Sequence, residues 1–327
     1  MTPDRRQVLH AAASALAIAL SSARAEDYPA RPIKLVIPYP PGGLLDAVGR
    51  PWADSMKSLL GTVVVENIGG GGGEIGTAAV SRARPDGHTV LLASNSILVI
   101  DPIARGPLSY DPVKSFSAVA TLGDVPEGIA VNPSLPVRTL MELADYARRN
   151  PGKLSYGTPG VGSLNHLTGE RFKLLAGSPD IVHVPYRGSG PAITDLIGGQ
   201  IQMAVPAFNG QLLAFHRTGK IRILAVTSAE RLRVAPELPT AVEAGMPDLI
   251  VQATSWLLVP AGTPAAIVGR ISQATKQALA EPELRRIYSA AGIEPSTDPS
   301  PEAATQLLQA EIRRWMPIVE QAGLKRH

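Results

Sequence analysis

Residues 156–167 read Tyr156-Gly157-Thr158-Pro159-Gly160-Val161-Gly162-Ser163-Leu164-Asn165-His166-Leu167, and their order predicts the end of a short strand, a glycine turn and a helix start. Residues 158–162 suit neither strand nor helix: Pro159 lacks an N–H, and Gly160 and Gly162 favour unusual backbone angles. Ser163 is a good N-cap, so a helix is expected over 164–175. Its free N–H groups and positive dipole end would point back at the turn, making a cup for a carboxylate or phosphate. An ordinary turn without a ligand accounts for the same residues, and the stretch alone does not choose.

An apolar run over 33–39 followed by Pro40-Pro41-Gly42-Gly43 and a helix-like run over 44–60 has the same mechanics. Two cups on separate α/β domains would place a ligand between them, where small-molecule sites in two-domain proteins commonly lie. Working outward, strands are expected over 34–39, 63–66 and 89–93, with helices over 45–60 and 75–83. Residues 100–114, rich in proline and glycine, are expected to form a loop. Residues 116–131 are apolar and extended and are expected to cross between domains.

A second series follows: helix 139–149, strand 153–156, the cup and its helix, strands 181–184, 200–205 and 221–227, and helices 192–197 and 211–218 between them. After a strand at 256–259 the chain is expected to be helical over 264–281, 282–290 and 301–322, each helix opening near a proline. Short apolar runs alternating with amphipathic helices predict parallel sheet made of right-handed βαβ units. A C-terminal helical block without its own sheet is expected to return to the first domain. That makes domain 1 discontinuous, 26–125 plus 252–327, with domain 2 over 126–251 and a two-strand hinge.

The 327-residue chain is long enough for two such domains. Residues 1–25 read as a cleavable signal: basic Arg5-Arg6, an Ala/Leu-rich core over 8–20, and Ala23-Arg24-Ala25. The core, about 13 residues, is shorter than the roughly 18 to 20 of a membrane span, so an exported protein not embedded in the membrane is expected. Arg5-Arg6 also resembles a twin-arginine signal, although Asp4 and His10 depart from that pattern; both export routes stay open. Removing the leader takes two from the net charge of +3, and without a basic face or many aromatics nucleic acid is excluded as a partner. The absence of cysteine excludes disulfides, thiolate metal sites and a cysteine nucleophile.

Gly71-Gly72-Gly73-Glu74-Ile75-Gly76 satisfies G-x-G-x-x-G, yet the next strand ends in Ser94-Asn95 with no acid for a ribose. The run reads better as backbone that can approach a ligand closely, and no cofactor is expected. Ser163 and His166 invite a serine-hydrolase reading, but no G-x-S-x-G elbow surrounds Ser163 and no acid is placed to orient His166. His88, His183 and His216 lack metal-ligand spacing and read as structural. Asp46, in the first turn of its helix, meets the dipole favourably, a role compatible with ligand contact.

These pieces together resemble the receptors of tripartite tricarboxylate transporters, the Bug family of periplasmic solute-binding proteins. The matching stretches run in the family's order: Tyr28-Pro-Ala-Arg-Pro-Ile33, Pro38-Tyr-Pro-Pro-Gly-Gly43 with Asp46, Val63-Val-Val-Glu-Asn67, and Gly72-Gly73 with Ile75-Gly76. Pro85-Asp-Gly87, Tyr110-Asp-Pro112, residues 156–166, His183-Val-Pro-Tyr186, Gly198-Gly-Gln200, Leu224-Ala-Val-Thr-Ser228, Leu238-Pro-Thr240 and Pro260-Ala-Gly-Thr-Pro264 continue it.

The resemblance implies a type II periplasmic-binding-protein fold: two α/β domains, a two-strand hinge, and a cleft that closes on a small organic acid. It further implies a cognate membrane permease as partner, a monomer, and a periplasmic location. It places ligand contacts at Tyr39, Gly42, Gly43, Asp46 and Asn95 on one wall and at Thr158, Gly162, Ser163 and His166 on the other. A sensor serving a two-component signalling partner would use the same closure and stands as the alternative.

Two departures bear on the ligand. Ile68-Gly69-Gly70 stands where the family usually has a basic residue and a proline, so a looser loop is expected. Val205-Pro206-Ala207-Phe208-Asn209 stands where many relatives have Met-Phe-Asp, and the lost carboxylate argues against an amino-group ligand.

Overall fold

The computed structural model describes residues 28–186, 188–321 and 323–324; the leader expected over 1–25 lies outside them. The first series is β1 (Ile33–Ile37), α1 (Leu44–Leu59), β2 (Val63–Asn67), a 3-10 turn (Gly71–Gly73), α2 (Glu74–Ser81) and β3 (Thr89–Ser94). A π-turn (Ser96–Ile100) and α3 (Asp101–Ala104) lead to β4 (Phe116–Pro126), which crosses into β5 (Gly128–Val131). The second series is α4 (Leu140–Arg149), β6 (Ser155–Thr158), α5 (Leu164–Ala176), β7 (Val182–Pro185), α6 (Ser189–Ile197), β8 (Met203–Ala204), α7 (Gly210–Arg217) and β9 (Arg222–Val226). The chain returns through β10 (Gln252–Pro260) to α8 (Ala265–Ala280), α9 (Pro282–Ala290), β11 (Glu294–Pro295) and α10 (Pro301–Gln321).

These strands form two sheets, ordered β11-β4-β10-β3-β1-β2 and β7-β6-β8-β5-β9. Each sheet is covered on both faces, which explains why its strands read as continuous apolar runs. In the first sheet Leu35, Ile37 and Leu92 pack against Trp52 and Met56 of α1 and against α8 and α9. Val36, Leu91 and Trp256 face the opposite way, onto the π-turn and α10. In the second sheet Val131, Tyr156 and Met203 pack on α4 and α5, while Ala130 and Ala204 meet α6 and α7.

The expected parallel pairing is found within each series, β1 with β2 and β3, and β6 with β7 and β8. The crossing strands correct it: β10 is antiparallel to β3 and β4, and β5 to β8 and β9. A strand that enters a sheet from the other unit arrives from the opposite end, and so runs against its neighbours.

Two further expectations are corrected. Residues 100–104 of the expected loop are helical, continuing the π-turn that begins at Ser96, because Ile97, Leu98, Val99 and Ile100 are all buried and an apolar run in a polar loop would stay wet. Strand β6 extends through Thr158, two residues beyond the expected end, since parallel pairing with β7 carries Gly157 and Thr158 along in register.

Candidate functional site: two amide cups beside one apolar cluster

Both cups form. In the second, Ser163 is the N-cap of α5: its hydroxyl oxygen accepts from the His166 N–H at 3.2 Å, and its O–H donates to the Gly160 carbonyl at 2.7 Å. Gly162 adopts φ +80°, which a side chain would resist, and donates its N–H to His166 Nδ1 at 3.2 Å. Among the described residues the N–H groups of Val161, Leu164 and Asn165 have no protein acceptor and open onto the turn.

In the first cup Gly43 precedes α1, and the N–H groups of Gly43, Leu44 and Leu45 are likewise without an acceptor among the described residues. Asp46 pins this turn. Its carboxylate accepts from the Gly42 N–H and, at 3.0 Å, from Asn67 Nδ2, with Arg50 at 3.4 Å. Burial alone would raise its pKa, but the bonds from Asn67 and Gly42 and the Arg50 charge prevail and hold it below the usual carboxylate range. Asn67 Nδ2 also donates to the Tyr39 carbonyl at 2.9 Å, so Tyr39, Gly42 and Asp46 are brought together.

A shared hydrophobic cluster joins the two halves. Leu164 and Leu167 of α5 are buried with Ile97 of the π-turn, Trp256 of β10 and Ile318 of α10, and Tyr39 packs against the same cluster. Its phenol is pushed up to about 12, by burial first and then by Asp101. Tyr39 ahead of the first cup and Leu164 behind the second thus reach the same apolar cluster.

Asn95, another of the expected contacts, is held by protein partners. It is buried, its Oδ1 accepts from the Thr254 N–H at 2.6 Å and its Nδ2 donates to Glu311 at 3.2 Å, tying β3 to β10 and α10. The remaining expected residue, Thr158, is also buried, with its hydroxyl 2.7 Å from His183 Nε2.

Sequence reasoning missed what stands behind the second cup. The rings of His166 and His183 stack at 4.0 Å, and Tyr156 lies 4.9 Å from His183. Glu170 lies 3.8 Å from His166 Nε2, which corrects the expectation of no nearby acid; the same oxygen accepts from the Tyr156 hydroxyl at 2.6 Å and from Lys173 at 2.9 Å. Burial lowers the pKa of both imidazoles, His183 to about 4 with His166 contributing. Tyr156 and His183 belong to the stretches that carried the family resemblance, so that pattern held a signal that histidine spacing did not.

Glu127 was also missed, though a lone carboxylate within the apolar run 116–131 is itself a signal. It lies between β4 and β5, is 1% exposed, and accepts from Asn165 Nδ2 in the first turn of α5. Finally, the glycine loop is held from outside: Arg105 donates to the Gly71 carbonyl at 2.8 Å and pairs with Glu74 at 3.1 Å. This answers the expected looseness after Asn67.

The cup geometry also settles the hydrolase reading, because the Ser163 proton goes to Gly160 while His166 Nδ1 is occupied by Gly162. No hydrogen bond joins the Ser163 hydroxyl to the His166 ring to activate a nucleophile. What remains is a pair of polarised amide cups suited to holding an anion. Residues 48–324 match the family described as tripartite tricarboxylate transporter family receptor. The chain belongs to this family.

The TctC receptors are solute-binding proteins and not enzymes. This receptor is 33% identical over 303 residues to protein BugT of Bordetella pertussis, covering 92% of each chain. Among solved structures, MatC of Rhodopseudomonas palustris with bound malate shares 30% identity and a TM-score of 0.73, covering 89% of this chain and 100% of that one. The R. palustris protein Rpa4515, solved with adipate, shares 32% identity and a TM-score of 0.76, covering 91% and 99%. The receptor thus has the two-sheet α/β fold of the periplasmic binding proteins of the TctC and Bug family. Among its described residues no helix is long and apolar enough to cross a membrane.

Proposed function

We propose that this receptor works in the periplasm, capturing a small organic acid between two domains, 26–125 plus 252–327 and 126–251, and delivering it to a tripartite tricarboxylate-type permease. The observation that carries the reading is the pair of helix-start turns whose amides lack a protein acceptor, each flanked by residues of one apolar cluster. Carboxylates at the ends of a short apolar chain match that layout, and malate and adipate are the ligands named for two relatives.

Closure requires contact with both walls, because a ligand held equally well in the open and closed states shifts nothing. One helix terminus contributes about 0.3 to 1 kcal/mol per anionic contact, and up to about 2 when partly buried. Micromolar binding needs about 8 kcal/mol, so amides from both cups must contribute.

Thermal melting against mono-, di- and tricarboxylates, aromatic acids and amino acids tests this. A bound acid at a hundredfold excess over its Kd should add about 2.7 kcal/mol of stability. Ser163→Ala removes both bonds of the cap. It should cost about 1 kcal/mol of stability and weaken the response to the acid while leaving the protein folded. A full response in the variant would take Ser163 out of the site, and tight binding of a zwitterionic amino acid would overturn the organic-acid assignment.

A further inference from the structure

The second cup holds one of its amides back. Gly162 donates its N–H to His166 Nδ1, 3.2 Å away, so this nitrogen carries no proton and the neutral ring bears its proton on Nε2, toward Glu170. From α5, Glu170 and Lys173 face the ring; from β7, His183 stacks on it at 4.0 Å; from β6, Tyr156 lies parallel at 6.4 Å. Glu170 is shared with the Tyr156 hydroxyl and Lys173. His183 meets the Thr158 hydroxyl at 2.7 Å.

We propose that His166 gates the second cup by proton uptake. Taking a proton from solvent at Nδ1, it releases the Gly162 N–H to the bound anion and sets an imidazolium behind it. Two donors cannot face each other, so an Nδ1–H must push the Gly162 amide away, and glycine at φ +80° can turn where another residue would resist. The inference rests on the carboxylate-receptor reading and deepens it, because ligand capture and proton uptake become one linked event.

Linkage sets the sign. Burial holds the free receptor's His166 below the ordinary histidine value. If protonation strengthens anion binding, a bound anion must raise that pKa by the same factor. Affinity therefore rises as pH falls through the window between the free and bound values. His183, lowered to about 4, stays neutral in that window, so the stacked pair carries one charge.

The test has a ligand-free arm and a ligand arm. In NMR of the ligand-free protein the Gly162 amide and the His166 ring should titrate with one midpoint; an amide that does not follow the ring overturns the gate. For the ligand arm, His166→Asn keeps an acceptor near the Nδ1 position but takes no proton. Between about pH 7.5 and pH 5.5 the wild-type Kd for adipate or malate should fall about tenfold more than the variant's. Comparing the two proteins cancels the titration of the acid itself, and an equal pH dependence would also overturn the gate. A protein that binds no acid of the panel would sink the receptor reading and leave the titration arm to decide the gate.

Discussion

Glu127→Gln is expected to gain stability relative to the wild-type protein as pH rises from about 6 to about 8. Glu127 sits where both crossing segments meet: its N–H donates to Thr227 Oγ1 at 2.8 Å and its carbonyl accepts from the Thr227 N–H at 2.9 Å. Burial pushes its carboxyl from 4.5 up to about 8, against the opposing bond from Asn165. Between those values the folded protein keeps a proton that the unfolded chain has released. The contribution of Glu127 is thus full below the unfolded value and falls by about 1.4 kcal/mol per pH unit up to the folded one.

Asp124, raised to about 6 by burial, adds a slope of the same sign at lower pH, and His166, His183 and His216, all lowered by burial, add slopes of opposite sign up to about pH 7, so the difference between variant and wild type is what reports Glu127. Glutamine keeps the shape and still accepts from Asn165 but does not titrate. Urea unfolding at a series of pH values should show the variant gaining on wild type as pH rises. Parallel curves would mean that Glu127 is ionised in the folded protein.

Gly76→Ala is expected to cost about 3 kcal/mol and to weaken adipate or malate binding together with stability. A Cβ there would lie 2.5 Å from the Ile68 carbonyl oxygen and 3.0 Å from Pro38 Cα. Both are backbone atoms leaving β2 and β1, so no side chain can swing aside. Relief requires moving the segment that leads into the first cup. Gly269 is the control: it lies in the interior of helix α8, where an added Cβ would meet nothing within 4 Å beyond the helix's own backbone. There alanine should stabilise by about 0.8 to 1 kcal/mol. A Gly76→Ala midpoint in urea matching wild type would show that the two strand exits can part at little cost.

Much of the site was legible because it is local. Pro159, Gly162 and Ser163 determine a turn, a left-handed residue and a cap within six positions, and the helix starts where they place it. The same holds for Gly42-Gly43 ahead of α1, and for Asp46, whose carboxylate reaches back four residues to the Gly42 N–H. The crossing run 116–131 showed itself through its unbroken apolar character, and the proline-led helices through their first turns.

Other features depend on partners far along the chain. The amide of Asn95 is engaged by β10 and α10, from positions 254 and 311. His183 looked like an isolated histidine until β7 paired with β6 and laid its ring on His166. Arg105 steadies a glycine loop that begins more than thirty positions earlier, and β10 lies between β3 and β4 although it follows them by more than a hundred residues. The sequence by itself determined the cups, the caps and the alternation of strands and helices, because those follow from backbone chemistry between near neighbours. Only the tertiary structure decided which polar groups are left without a protein partner, because hydrogen-bond capacity is consumed by whichever distant residues sheet pairing brings within reach.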